Sequence, residues 1–193
     1  MTRGIRVIKL GGSLLSRPNW HGDFLSWHEK SPSPALDVLI VGGGQPVNLL
    51  RKLADRVGMD DSTAHWVAIE FMSANARLVA DRLGYPIVES FDDLNEIASQ
   101  QEQSDGRLKP VHQLLDPTPV LQNGRISLEE SWRVTSDSIA AAVAADCNAQ
   151  ELVLLKSTPP PTDDVEKLAR IGYVDEYFPT ASAGVKQISF VDP

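Results

Sequence analysis

The chain has 193 residues, 42% hydrophobic and 23% charged, with 26 acidic side chains against 18 basic ones and a formal net charge of −8. That balance fits one compact domain over 1–193 and argues against a nucleic-acid or anionic-membrane partner, while leaving room for a local basic pocket that takes a phosphate. The single cysteine, Cys147, cannot form an internal disulfide, no apolar run reaches the roughly 20 residues of a membrane span, and the stretch before the first strand is too short for a signal peptide. A cytoplasmic protein is expected.

Residues 5–10 and 36–41 are short apolar runs bounded by glycine, the pattern of buried parallel strands. Between them Trp20, Phe24, Leu25 and Trp27 recur at helical spacing, and Ser31-Pro32-Ser33-Pro34 ends that segment. Gln45 to Val57 reads as a helix with Val47, Leu50, Leu53 and Val57 on one face and Gly58 closing it. Asp60, Asp61 and Ser62 offer N-caps for a long helix to about Leu83, with Val67, Phe71, Ala74 and Leu78 as its stripe. Gly84-Tyr85-Pro86 stops it, and Ile87-Val88 reads as a strand.

Residues 99–109 are polar and read as a surface loop, and prolines leave Val111 to Val120 unassigned. Ser136 to Cys147 is an alanine-rich helix, Leu152 to Leu155 a strand, Asp163 with Glu166 a helix start, and Ile188 to Val191 an edge strand. Strands alternating with helices predict an α/β sheet covered on both faces.

The chemistry concentrates where strands end. Lys9-Leu10-Gly11-Gly12-Ser13 closes the first strand and Gly42-Gly43-Gly44 the second. Bare amides at a helix N-terminus, with glycines before it, favour an anion, and Lys9 adds a charge that is costly to bury unpaired. Glycine turns are also common in any α/β sheet, and the second triplet alone fits a plain structural turn better than a ligand site. Neither run has the spacing of a P-loop or of a dinucleotide fingerprint. At the third element, Thr135-Ser136-Asp137-Ser138, Ser136 or Asp137 either caps the helix or, for Asp137, faces the crevice and holds Lys9.

In this order along residues 5–156, the three motifs resemble the amino acid kinase family. The resemblance implies a three-layer αβα sandwich around a mainly parallel sheet, and phosphoryl transfer from MgATP to a carboxylate, phosphate or carbamate oxygen. Ala64-His65-Trp66-Val67-Ala68, together with Val134 to Ser138, is similar to the branch containing the aminomethylfuran-methyl phosphate kinase of methanofuran synthesis. Relatives of that branch accompany one-carbon cofactor pathways.

Carried onto this chain, the resemblance gives Lys9 the transferred phosphate, and Gly11, Gly12, Ser13, Gly42, Gly43 and Gly44 its oxygens. Asp137 orients the lysine rather than acting as a base. His65, Thr135 and Ser136 become acceptor contacts, Ser157 and Thr158 nucleotide contacts, and no resident protein-bound metal is expected beyond the Mg2+ of ATP. Family members carry a further stretch with a second catalytic lysine. Here the strand runs into Lys156-Ser157-Thr158 and three prolines, so the nucleotide half looks shortened. Lys156 either replaces the missing lysine or pairs with an acid such as Asp163 in a degenerate site.

Three functions therefore stand at this stage: an ATP-dependent small-molecule kinase, a non-catalytic relative that keeps only the acceptor pocket, or another α/β phosphate binder. Arg51, Lys52, Arg77 and Arg133 are candidate cations for an acceptor already bearing phosphate. A homo-oligomer is expected from the habit of relatives.

Overall fold

A computed structural model describes residues 4–31, 34–103 and 110–193. Six strands form one sheet, β1 (Ile5–Leu10), β2 (Leu36–Val41), β3 (Ile87–Val88), β4 (Val111–Leu115), β5 (Glu151–Leu155) and β6 (Ile188–Val191), in the order β3-β4-β2-β1-β5-β6. Every pairing is parallel, so the sheet is parallel throughout rather than mainly so. Helices cover both faces: α1 (Trp20–Lys30), α2 (Gly44–Val57), α3 (Asp61–Leu83), α4 (Phe91–Gln103), α5 (Pro117–Gln122), α6 (Ser136–Asp146), α7 (Val165–Arg170) and α8 (Phe178–Ala181).

The period of two along β1 divides the core. Val7 packs with Val38, Ile40, Leu152 and Leu154 under α6, while Ile8 and Leu10 pack with Leu39, Val41, Val153 and Leu155 under Phe24 of α1. Helix α3 serves both layers, giving Ile69 and Met72 to the first and Ala76, Val79 and Ala80 to the second. Lys9 shares the parity of Val7, and so projects into the first layer, near the C-terminal edge of the central strand.

Several expectations need correction. In α2 the buried positions are Leu50 and Ala54, whereas Leu53 and Val57 are exposed. In α3 the buried stripe is Ala64, Ile69, Met72, Ala76, Val79 and Ala80. Ala74 and Leu78 of the expected stripe face solvent. Helix α4 runs through Ser99 to Gln103, because Phe91, Leu94 and Ile97 anchor its first turns to the core; residues 104–109 of the expected loop, like Pro32 and Ser33, lie outside the described residues. The proline-rich stretch is β4 followed by α5, with Pro117 in the first turn and the Asp116 side chain accepting from the Thr118 amide. Helix α7 is capped by Asp164 and not Asp163.

At the N-terminal edge of the sheet, Arg6, Asp37 and His112 stand in register on β1, β2 and β4. Asp37 accepts two hydrogen bonds from Arg6 (2.7 and 2.9 Å), His28 Nε2 lies 2.7 Å away, and His112 Nδ1 3.3 Å away. Burial pushes the Asp37 carboxyl up, but His112, His28 and Arg6 together outweigh it and hold it well below the usual range. The guanidinium occupies both carboxylate oxygens, so this cluster fastens three strands and α1 together rather than offering a cation site.

Candidate active site

The two glycine turns meet at the C-terminal edge of the sheet, where open parallel sheets bind ligands. Each is fixed to the neighbouring strand: the Gly11 amide donates to the Leu155 carbonyl (3.1 Å) and the Gly42 amide to the Leu10 carbonyl (2.9 Å). The amides of Gly12, Gly43 and Gly44 donate to no backbone carbonyl among the described residues. Gly44 has φ +61 and begins α2, and a Cβ there would stand 2.9 Å from the Gly12 carbonyl oxygen. A Cβ on Gly12 would drive into the Gly44 amide nitrogen, backbone against backbone with nothing able to rotate away. Gly12→Ala is therefore expected to separate the two turns and abolish phosphate binding, measurable as loss of ATP-analogue binding by calorimetry.

Asn75 of α3 secures the second turn, its amide donating to the carbonyls of Gly42 (2.8 Å) and Gly43 (3.0 Å). Gln45 ties the turns together through the Ser16 hydroxyl at 3.2 Å. With those carbonyls engaged, the free amides are left to present positive dipoles to the space above them.

Lys9 Nζ lies 2.7 Å from Asp137 Oδ1, and Lys156 Nζ 2.5 Å from Asp137 Oδ2. Lys156 also donates to the Tyr173 carbonyl (2.7 Å), and its partner is thus Asp137 and not Asp163. Burial pushes the Asp137 carboxyl up, yet the ammonium groups of Lys9 and Lys156 outweigh it and hold the group below the usual carboxylate range. Burial, then the charge of Lys9, lowers Lys156 despite its carboxylate partner. Two cations share one anion, so the cluster carries a net positive charge toward the glycine turns.

Asp137 is free to do this because it is not the cap of α6. Thr135 holds the N-cap position without a side-chain bond of its own to the helix. Asp175, far along the chain, supplies the carboxylate instead: it accepts from the Thr135 amide (3.0 Å) and hydroxyl (2.7 Å), from the Ser138 amide (3.0 Å), and from the Ser138 hydroxyl. That carboxylate also meets the positive end of the helix dipole.

Above the turns is a cavity of about 530 Å3 lined by Lys9, Gly12, Ser13, Gly43, Gly44, His65, Thr135, Ser136 and Lys156, among others. Among the described residues three lining side chains are cationic, Lys9, Arg51 and Lys156, and none is a carboxylate. In a chain with a net charge of −8 this gathers positive charge at one place, a setting that favours an anion. Arg51 lies over the Trp132 ring at 4.6 Å, giving the outer part a flat cationic wall. His65, its pKa lowered by burial, has Nδ1 3.3 Å from the Ser131 carbonyl. Ser157 and Thr158 are exposed and do not line the cavity; their carbonyls accept from Arg17 and from the Tyr173 hydroxyl.

Asn75, Trp132 and Asp175 were not singled out by the sequence. Each acts on residues distant in the chain, and only the Asx character of Asn75 and Asp175 hinted at bonding to backbone.

An α/β sheet with paired glycine turns and a shared lysine–aspartate–lysine cluster at its C-terminal edge defines an αβα protein with a cationic cleft at the end of its central strands. The chain belongs to the amino acid kinase family, which matches residues 4–175. It is 26% identical over 150 residues to the [5-(aminomethyl)furan-3-yl]methyl phosphate kinase of Methanocaldococcus jannaschii, covering 78% of this chain and 64% of that protein. Among solved structures it is similar to the UMP kinase of Ureaplasma parvum (TM-score 0.63, 16% identity, covering 98% of this chain and 90% of the other). The uridylate kinase of Archaeoglobus fulgidus gives a TM-score of 0.53 at 17% identity, covering 83% and 69%. These structural likenesses speak for the fold.

Proposed function

We propose that the protein is an ATP-dependent small-molecule kinase that transfers the γ-phosphoryl group of MgATP to an oxygen of an acceptor already bearing a phosphate. The observation that carries this reading is the acid-free cavity with Lys9, Arg51 and Lys156 around the glycine amides. Its three cations exceed what one phosphate needs and suit two anionic groups brought together. The flat Arg51–Trp132 wall suits an acceptor with a planar ring, as in the aminomethylfuran phosphate named for the Methanocaldococcus relative. A place in one-carbon cofactor synthesis follows from the same likeness.

In this reading an acceptor oxygen forms a bond to the γ-phosphorus as the bond to the bridging oxygen breaks, and ADP leaves with that oxygen. Such transfers need positioning and neutralisation of spread charge more than covalent help from the protein. Lys9 and the amides of Gly12, Gly43 and Gly44 hold the transferred group, Lys156 meets the leaving phosphate, and Asp137 fixes both lysines. Mg2+ enters as part of the MgATP substrate, since the carboxylate beside the cavity, Asp137, is already committed to two ammonium groups.

Lys156→Ala tests the assignment of the second lysine. Removing one such electrostatic donor costs on the order of 10²–10³ in rate, read by coupled ADP release with aminomethylfuran phosphate or UMP as acceptor. Undiminished turnover would make Lys156 structural. The bonds from Lys156 to Asp137 and to the Tyr173 carbonyl favour one alternative, a non-catalytic binder of the acceptor, in which that ammonium never turns to a nucleotide.

Self-association is part of the same reading. Leu49, Leu53 and Val57 recur at every fourth position of α2 and are exposed, as is Leu78 of α3, leaving apolar surface for a second copy. Among the described residues no helix is long and apolar enough to cross a membrane. Burial raises the Cys147 thiol to about 12, which keeps it unreactive and is compatible with a reducing cytoplasm.

A further inference from the structure

Lys156 is the first residue after β5, and the backbone there is held at three successive residues by different parts of the fold. The Lys156 amide donates to the Val191 carbonyl of β6 (2.8 Å), the Ser157 carbonyl accepts from Arg17 (3.0 Å), and the Thr158 carbonyl accepts from the Tyr173 hydroxyl (2.8 Å). Ser157 and Thr158 are exposed, so burial does not account for this fastening. Tyr173 also meets the Lys156 side chain twice. Its carbonyl accepts from Nζ at 2.7 Å, and its ring centroid lies 5.2 Å from the same nitrogen. An ammonium at that distance over an aromatic face is attracted by the ring quadrupole.

The tyrosine is itself fixed from several sides. Gly172, at φ +73, follows α7; its amide donates to the Ala169 carbonyl (3.0 Å) and the Tyr173 amide to that of Leu168 (2.9 Å), the paired bonds of a Schellman turn. The ring meets Phe190 of β6 edge to face at 5.5 Å. Two residues further on, Asp175 is bound to the start of α6, the helix that carries Asp137. The two acceptors of Lys156 Nζ, Asp137 Oδ2 and the Tyr173 carbonyl, therefore belong to elements tied directly to each other.

We propose that Tyr173 is a positioning residue for Lys156, holding its ammonium through the carbonyl and ring and its backbone segment through the hydroxyl. Lys156 then stands in the cavity wall in one fixed arrangement before any ligand arrives, which is what a preorganised electrostatic donor requires. The consequence for rate rests on the kinase reading above; the immobilisation of Lys156 does not.

The first readout needs no ligand. In the full-length protein labelled with 15N-lysine, exchange of the Lys156 ammonium protons with water, assigned through Lys156→Met, is measured by NMR beside that of exposed Lys52. Slower exchange at Lys156 is expected. Tyr173→Leu removes ring and hydroxyl and should speed that exchange about tenfold. Tyr173→Phe removes only the hydroxyl, keeps a ring against Phe190, and should speed it about threefold. The second readout is coupled ADP release with MgATP and aminomethylfuran phosphate or UMP. Tyr173→Phe should lower kcat about threefold with the acceptor KM unchanged, and lower it no further when Lys156 is already alanine, because residues acting through one another are not additive. Exchange at Lys156 as fast as at Lys52, exchange unchanged in both variants, or the same loss of turnover with and without Lys156 would overturn the proposal. Slow exchange that is lost in the variants, beside a wild type without turnover, would uphold the positioning and remove the kinase reading instead.

Discussion

Lys9→Met is expected to lower turnover by on the order of 10²–10³, the loss typical of a preorganised electrostatic donor, without lowering the thermal midpoint. The second half of that result follows from the charge count. Lys9 and Lys156 share Asp137, giving the buried cluster one more cation than anion. Deleting Lys9 leaves a matched Lys156–Asp137 pair, and a methionine of similar length can occupy the space between Ile40 and Leu154 that flank position 9 in register. Buried ion clusters with an uncompensated charge cost stability, so removing the excess should leave the fold as stable or more so. The measurement is coupled ADP release beside a thermal melt. A variant that turns over normally would remove Lys9 from the chemistry; one that unfolds would make the lysine a structural residue.

Asp137→Asn is expected to fail in both respects. It leaves two ammonium groups buried within reach of one neutral amide, and breaking a buried pair by removing one partner costs about 3–5 kcal/mol. For a domain of this size, each kcal/mol moves the midpoint by about 2–4 °C, which predicts a fall of roughly 10 °C. The pH dependence identifies the cause. In the wild type the Asp137 carboxyl is lowered in the folded state, so its contribution is present above the ordinary carboxylate range and lost as pH falls through the folded value. In the variant that acid-sensitive contribution is gone. Lys156, already lowered by burial and by Lys9, binds its proton less tightly folded than unfolded, and the variant should gain stability as pH rises from neutral into the alkaline range. A flat stability profile above neutrality would show that Lys156 is not the strained partner.

What could be read from the sequence was local. Glycine at two strand ends, a lysine on the central strand and an aspartate in the first turn of α6 each declare themselves within a few residues, and together they give the sheet edge and its charge. Helix faces were less legible. Helix α2 has enough apolar residues to offer two stripes, and the periodicity does not say that Leu53 and Val57 are the ones left outside. Ser99 to Gln103 are polar and resemble a loop, but they continue a helix whose anchors, Phe91 and Leu94, lie one to three turns earlier. The contacts that finish the site join residues far apart: Asp175 to α6, Asn75 to the second glycine turn, Arg51 to Trp132. Nothing near Asp175 in the sequence marks it as the cap of a helix begun 39 residues earlier, so only the assembled fold brings it into view.

Isothermal titration with the magnesium complex of a non-hydrolysable ATP analogue tests the central claim most directly, on the wild type beside Lys9→Ala and Lys156→Ala. The account predicts micromolar binding by the wild type and its loss in both variants. A folded wild type that gives no binding heat, or variants that bind as tightly as it does, would contradict a working phosphate site at this edge of the sheet.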